Sequence, residues 1–338
     1  MTSAESTLNQ APLVKIEGLK KYFPVQKGFL DQVLSGHIDY IRAVDDVSFE
    51  IQRGEVFGLA GESGSGKSTI GKLAIGLLQP TAGRVLFDGI NLSTIKAEKL
   101  RQLRSRMQVI FQDPMASLNP RMTIGDSVSH GLRIHFPKPV DYRELTLQIL
   151  DRVGLTPPRY FYNKYPHQIS GGQRQRVVIA RALITQPDLI LADEPIAMAD
   201  VSVRALLLEL MLELKKEFNL TYLFITHDLA TAKYICDKIG ILYLGKLVET
   251  AELKELYSRP IHPYTQALLA AVPVPNPSKR RTSPMPEGEI PNPINPPSGC
   301  RFHPRCPYAK DICNQKEPEL NELMYKHKIA CHFAKDFL

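Results

Sequence analysis

Apolar and polar residues alternate along two early stretches of the chain. Leu13 to Leu19 alternates well enough to predict a first strand, and Ala43 to Ile51 predicts a second, with Val44, Val47, Phe49 and Ile51 on one face. Arg53-Gly54-Glu55 then turns the chain into Val56 to Ala60, an unbroken apolar run that reads as a buried strand. Helical periodicity follows from Thr69 to Leu78. Pro80 to Gly83 is a turn, Arg84 to Phe87 a strand, and Asp88-Gly89 another turn. Further along, Met107 to Phe111, Leu189 to Ala192 and Tyr222 to Thr226 read as strands, while Asp126 to Ile134, Tyr142 to Val153 and Val177 to Ile184 read as helices. The pattern predicts an α/β core with an antiparallel β subdomain at its start and a mostly helical insertion over about 94–170. Residues 25–42 read as a loop or hairpin insertion.

Between the buried strand and its helix stands Gly61-Glu62-Ser63-Gly64-Ser65-Gly66-Lys67-Ser68, a complete match to the glycine-rich phosphate loop. Its three glycines let the backbone turn tightly and aim successive N–H groups inward, where they and the helix N-terminus attract phosphates. Lys67 is expected to reach the β- and γ-phosphates, the Ser68 hydroxyl to ligate magnesium, and Thr69 to open the helix. The site takes a nucleoside triphosphate.

Other strand ends carry matching chemistry. Asp193 and Glu194 close an apolar strand, where the aspartate can hold Mg2+ and the glutamate can take a proton from attacking water. His227 ends the next apolar strand, a position from which it can sense a γ-phosphate. Gln112 sits at the root of the loop 113–120 and can touch magnesium or water. Ser170-Gly171-Gly172-Gln173 before the Val177 helix reads either as a second anion cradle or as an ordinary glycine-bearing helix cap. Phe23, with Tyr22 as second choice, offers a face to an adenine ring or to the core.

Composition narrows the class. The 338 residues are 43% hydrophobic, enough for a sizeable core. Residues 1–12 are polar, without a basic start or an apolar stretch, and no uncharged apolar run approaches the ~18 residues of a spanning helix. The formal charge of +7 is scattered rather than blocked, so Lys96, Lys99, Arg101, Arg104 and Arg106 read as a solvated helix face and no nucleic-acid partner is expected. Five cysteines without a signal peptide imply a reducing compartment.

In order along the chain, the phosphate loop, Gln112, the Ser170–Gln173 signature, Asp193-Glu194, Asp200 and His227 resemble an ABC-transporter ATP-binding subunit over roughly residues 13–260. Tyr22-Phe23-Pro24, the 25–42 insertion and Arg259-Pro260-Ile261-His262-Pro263-Tyr264-Thr265 make the chain similar to the second ATPase type of dipeptide/oligopeptide importers. The resemblance implies a phosphate-loop NTPase fold, with an ABC ATPase domain over 1–265 and an importer-type extension over 266–338. It also implies ATP and Mg2+ as cofactors, and a heterodimer with a second ABC ATPase subunit. In that pair each ATP lies between one phosphate loop and the other chain's signature, with Asp200 in the cross-subunit loop. Two transmembrane permease subunits, docked on Gln112 and residues 113–135, and an extracytoplasmic solute-binding protein would complete a transporter at the cytoplasmic face of the membrane. The resemblance makes di- and oligopeptides the leading cargo, with oligosaccharide, nickel and glutathione as alternatives, since cargo contacts would lie on those other chains. A soluble ABC ATPase acting on DNA or ribosomes and a redox-sensing regulator are the other readings. Two departures stand out: Ile169 replaces a leucine before the signature, and Ala197-Met198-Ala199 precedes Asp200 where the family has Ser-Ala-Leu.

From Ala271 to Pro307 the chain is rich in proline and reads as an extended, non-helical linker. Cys300, Cys306, Cys313 and Cys331 follow, while Cys236 lies alone in an apolar helix. Four thiols in about forty residues suggest a metal; Cys306-Pro307 echoes the ferredoxin motif, and the resemblance supports a [4Fe–4S] cluster, with zinc as the alternative. His303 and His332 are spare ligands. This stretch has too little apolar periodicity for a core of its own and lies far along the chain from the phosphate loop, so it is expected to serve stability or docking rather than hydrolysis.

Overall fold

The computed structural model describes residues 11–25, 38–136, 141–272, 286 and 288–337. Residues 26–37 of the 25–42 insertion, and residues 273–285 and 287 of the proline-rich segment, lie outside the described residues. In chain order the strands are β1 (Val14–Pro24), β2 (Tyr40–Ile51), β3 (Val56–Ala60), β4 (Ala82–Phe87), β5 (Ile90–Asn91), β6 (Met107–Ile110), β7 (Leu189–Asp193), β8 (Thr221–Thr226), β9 (Lys238–Tyr243), β10 (Lys246–Glu252), β11 (Asn321–Met324) and β12 (His327–Ile329). The chain divides into two compact units, one of Met1–Ile51, Phe57–Ser93 and Thr226–Leu338, the other of Gln52–Val56 and Thr94–Ile225.

The first unit holds an antiparallel sheet in the order β2-β1-β4-β5. β1 runs past Leu19, where the alternation fails, because Gly18 (φ +54°) and register shifts flanking Leu19 let the strand bulge and resume. Tyr22 and Phe23 therefore lie within the strand, opposite Arg42 and Ile41, and not beyond its end. The same unit contains β3 paired parallel to β9, which pairs antiparallel to β10. Every residue of β3 is buried, as an apolar run without alternation requires.

Helix Lys67–Ala74 starts two residues before the apolar period and ends four before Leu78. Lys67 and Ser68 join its first turn, and Gly76 at φ +66° breaks its end, with the Leu77 and Leu78 N–H groups both returning to the Lys72 carbonyl.

The second unit carries β8-β7-β6, paired in parallel, with helices Ile124–His135, Tyr142–Arg152 and Gly171–Leu183. Each opens on a side-chain cap, from Thr123, Asp141 and Ser170 respectively. The loop after Gln112 contains a one-turn helix, Pro114–Ser117, capped by Asp113. Helix Ala97–Leu103 buries Leu100 and Leu103 and exposes Lys99 and Arg101, so its cations form a solvated face. No helix among the described residues is long and apolar enough to cross a membrane.

The proline-rich tail ends in structure that its composition concealed. β11 and β12 form a hairpin, and β12 pairs with β10 through Glu249 opposite Ile329. Ile329 and Ala334 pack on Ile261, with Leu323, Met324 and Phe337 around them. Residues 321–337 therefore share the core of the sheet edge instead of only wrapping over it. Cys236 is buried, as expected of a core residue, but it caps the end of helix Leu229–Ile235.

Candidate nucleotide site and C-terminal extension

In the phosphate loop all three glycines have positive φ: +149° at Gly61, +77° at Gly64 and +105° at Gly66. A Cβ on Gly61 would stand 2.2 Å from the Leu242 carbonyl oxygen, and one on Gly66 would stand 2.2 Å from that of Ala43, whereas Gly64 faces open space. Gly61 and Gly66 are thus needed both for conformation and for close backbone approach. Ser63 and Gly64 form the exposed tip, while Ser65 is buried. Lys67 is buried, and its Nζ donates to the Gly61 and Glu62 carbonyls, each at 2.8 Å, and to Ser65 Oγ at 3.4 Å. Ser68 and Thr69 are half-buried in the first helical turn.

The aromatics at the end of β1 differ. Tyr22 donates its hydroxyl to Asp45 Oδ1 at 2.5 Å and carries Arg42 over its ring at 5.9 Å. Burial, followed by the Asp45 carboxylate, pushes the Tyr22 phenol up to about 12. Phe23 keeps a half-buried ring with Lys21 Nζ at 5.1 Å.

Within the second unit, Gln112 and Glu194 meet: Nε2 donates to Glu194 Oε2 at 3.0 Å. Asp193 ends β7, and Glu194 follows at φ +48°, with its own N–H bonded to the Ile225 carbonyl at 3.0 Å. A non-glycine residue in that region is uncommon, and here it turns the carboxylate out of the strand toward Gln112. Ser170 and Gln173 cap each other: Ser170 Oγ accepts from the Gln173 N–H at 3.3 Å, and Gln173 Oε1 accepts from the Ser170 N–H at 2.9 Å. Gly171 is exposed with open space where a side chain would be, so the first turn of this helix can be approached closely. Asp200 opens helix Val201–Phe218 from an exposed position, beside Met198, which is 66% exposed. His227, exposed at the end of β8, belongs to the first unit.

The His262-Pro263-Tyr264 segment has a local logic. His262 Nδ1 caps helix Pro263–Ala270 by accepting from the Tyr264 N–H at 3.1 Å, and Pro263 fills the first helical position. Burial drives the His262 imidazole down to about 4, so it caps as a neutral ring. Glu249, fully buried, accepts from the Ile261 and His262 N–H groups at 2.9 and 3.1 Å and contacts His327 Nε2 at 2.8 Å. That carboxylate fastens the segment to β10 and to β12.

The four cysteines of the tail line one common cavity together with His303 and His332. Burial pushes the Cys300 thiol up to about 12 and the Cys331 thiol up to about 11, and it raises Cys306 as well; neighbouring cysteine sulfurs add to each rise. His303 Nδ1 and His332 Nε2 each lie 2.8 Å from a backbone carbonyl, those of Cys300 and Lys316. Among the described residues, no group of three or more His, Cys, Asp or Glu side chains is gathered closely enough to hold a metal ion as it stands.

Residues 44–197 match the ABC transporter family, and residues 248–313 match the oligopeptide/dipeptide transporter C-terminal region. The oligopeptide transport ATP-binding protein AppF of Bacillus subtilis is 47% identical over 328 residues, spanning 96% of this chain and 98% of AppF. This chain belongs to the ATP-binding proteins of ABC transporters. A putative peptide import ATP-binding protein of Brucella ovis is 46% identical over 325 residues, covering 96% of this chain and 98% of that one. Among solved structures, a dimeric ATP-binding cassette in a post-hydrolysis state with ADP and Pi is 30% identical, with a TM-score of 0.62, over 71% of this chain and 98% of the other. The fold is therefore that of an ABC ATPase, carrying the C-terminal region of the oligopeptide branch.

In this ABC ATPase the least legible functional residues are those joining the tail to the phosphate loop. Arg305 donates to both carboxylate oxygens of Glu62, at 2.7 and 3.0 Å, and the Glu62 N–H donates to the Tyr264 hydroxyl at 2.9 Å. Arg301 pairs with Asp45, the carboxylate that also holds Tyr22. Separation of more than two hundred residues hid both links from the sequence.

Proposed function

We infer that this ATPase drives the import of peptides through a membrane ABC transporter. The observation that carries the reading is similarity along nearly the whole chain to oligopeptide transport ATP-binding proteins, extending through residues 248–313. Residues 1–265 form the ATPase domain and 266–338 the extension. The chain sits peripherally at the cytoplasmic face, paired with a second, related ATPase subunit and docked through Gln112 and residues 113–135 on two permease subunits that receive cargo from an extracytoplasmic binding protein.

ATP binds to the phosphate loop through Gly61, Glu62, Ser63, Gly64, Ser65, Gly66, Lys67, Ser68 and Thr69. Phe23 stacks on the adenine; Tyr22, whose hydroxyl and ring face are both engaged, is second choice. The partner's nucleotide meets Ser170, Gly171, Gly172, Gln173 and Asp200, and the open first turn of the Ser170 helix supports that role. Ser68, Asp193 and Gln112 offer the hard oxygen donors that suit Mg2+, which supplies charge neutralisation on the phosphates. Glu194 takes the proton from attacking water, held in place by Gln112, and His227 senses the γ-phosphate.

For the extension we favour a [4Fe–4S] cluster on Cys300, Cys306, Cys313 and Cys331 over zinc. Four thiols on one cavity fit either group. Cys306-Pro307 echoes the ferredoxin motif, and the C-x2-C spacing usual for zinc is missing from these four cysteines.

The test is uptake by the transporter reconstituted from this chain, its partner ATPase and the permease and binding chains that accompany it. Labelled di- and oligopeptides should be accumulated in an ATP-dependent way, and unlabelled peptides should compete. Competition by nickel, glutathione or an oligosaccharide with none by peptides would replace the cargo while leaving the ATPase role intact.

A further inference from the structure

Glu62 is a junction. Its carbonyl receives Lys67 Nζ at 2.8 Å, its N–H donates to the Tyr264 hydroxyl at 2.9 Å, and its carboxylate receives Arg305 at 2.7 and 3.0 Å. Two segments far apart in sequence, at Tyr264 and Arg305, thus join Lys67 of the loop itself in fixing a single residue of the phosphate loop. The Arg305 side chain is 8% exposed and that of Glu62 26%. Arg305 also lies against Tyr243, with its guanidinium carbon 5.8 Å from the ring centroid and Nη1 3.3 Å from the hydroxyl, and Tyr243 packs edge-on to Tyr264 at 4.7 Å. The contact is therefore part of a packed aromatic cluster and differs from a screened surface pair, which contributes little.

The loop needs such an anchor. A chain with glycines at 61, 64 and 66 loses much backbone entropy when it is held in one conformation, and the tip at Ser63-Gly64 is exposed. Holding Glu62 at three points restrains the carbonyl on which Lys67 rests and the first peptides of the cradle before any phosphate arrives. Preorganisation of this kind appears as ligand affinity.

We propose that Arg305 of the C-terminal extension, acting through Glu62 together with Tyr264, is a positioning residue for the phosphate loop, so that the extension is a working part of the nucleotide site. The proposal rests on the ATPase reading but not on the cargo or on any metal in the cysteine cavity. It is stated for this chain's own nucleotide and needs no partner subunit.

The test measures MgATP affinity of the full chain by displacement of a trinitrophenyl-ATP probe, alongside melting temperature, for R305Q, R305K, E62Q, Y264F and the E62Q/R305Q double variant. R305Q and E62Q should each weaken MgATP binding by about 5- to 20-fold, as expected for loss of a largely buried charge pair. The double variant should be no worse than the weaker-binding single, because both remove one interaction. R305K should restore part of the affinity, since it keeps the charge and loses the fork, and Y264F should fall between wild type and R305Q. Affinities within twofold of wild type for both R305Q and E62Q would overturn the proposal and leave a plain tether of the tail, even if melting temperatures fall. Losses that multiply in the double variant would overturn it too. If R305Q does not fold, E62Q and Y264F decide the matter from the loop and helix sides. K67A serves as the control: unchanged binding there would instead indicate that the nucleotide does not occupy this loop.

Discussion

At the scale of single residues, the site depends on groups whose backbone or charge state is set by neighbours. Glu194 faces Gln112 because its φ of +48° turns it out of β7. His262 is the clearest case of a charge state fixed by packing. Burial lowers its folded pKa to about 4 from an ordinary 6.5, so the unfolded chain takes up the proton first as pH falls. Stability from this group is complete above about pH 6.5 and is lost progressively down to about pH 4. Two and a half units of depression correspond to on the order of 3 kcal/mol. The charged neighbour it faces, Glu249, opposes part of the effect, and His327 stands on the other side of that carboxylate. Melting temperature followed from pH 7.5 to 4.5 should fall more steeply for wild type than for His262→Asn, which keeps a cap acceptor and loses the titration. Parallel curves would show that His262 does not carry this dependence.

At the scale of elements, strands and helices were legible in the sequence wherever burial had a simple period. β3, β7 and β8 stand on the expected apolar stretches, while the signature helix begins at Gly171 instead of Val177 because Ser170 and Gln173 cap it there. Errors gathered where local geometry interrupts the period: the bulge near Gly18 that carries β1 to Pro24, and Gly76, which stops the first helix short of Leu78. β11 and β12 were invisible for another reason. They are short, and β12 is completed by pairing with β10, so nothing within residues 321–329 announces a core. The four cysteines line one cavity, but the bond of their segment to the phosphate loop was not legible, because Arg305 gains its meaning only from Glu62. Iron and acid-labile sulfide analysis of anaerobically purified protein should give about four of each per chain, with a brown colour. One zinc and no iron would replace the cluster with a structural zinc site.

At the scale of the whole molecule, a single chain offers one phosphate loop and one signature helix, placed in separate compact units. In the proposed assembly each ATP needs a loop from one subunit and a signature from the other, so activity belongs to the complex. The order of motifs made the ABC ATPase legible in the sequence, and the Arg259–Thr265 segment made its peptide-importer branch legible. The similarity that extends through residues 248–313 is what points to peptides. In the proposed mechanism Glu194 of this chain drives ATP hydrolysis coupled to transport. The most direct measurement is peptide-stimulated phosphate release by the reconstituted transporter, comparing wild type with Glu194→Gln and assaying MgATP binding in parallel. Peptide should stimulate the wild type, turnover should be lower by roughly 10²- to 10⁴-fold in Glu194→Gln, and MgATP binding should persist. Near-normal turnover in Glu194→Gln, or full peptide-independent hydrolysis by this chain on its own, would contradict this mechanism.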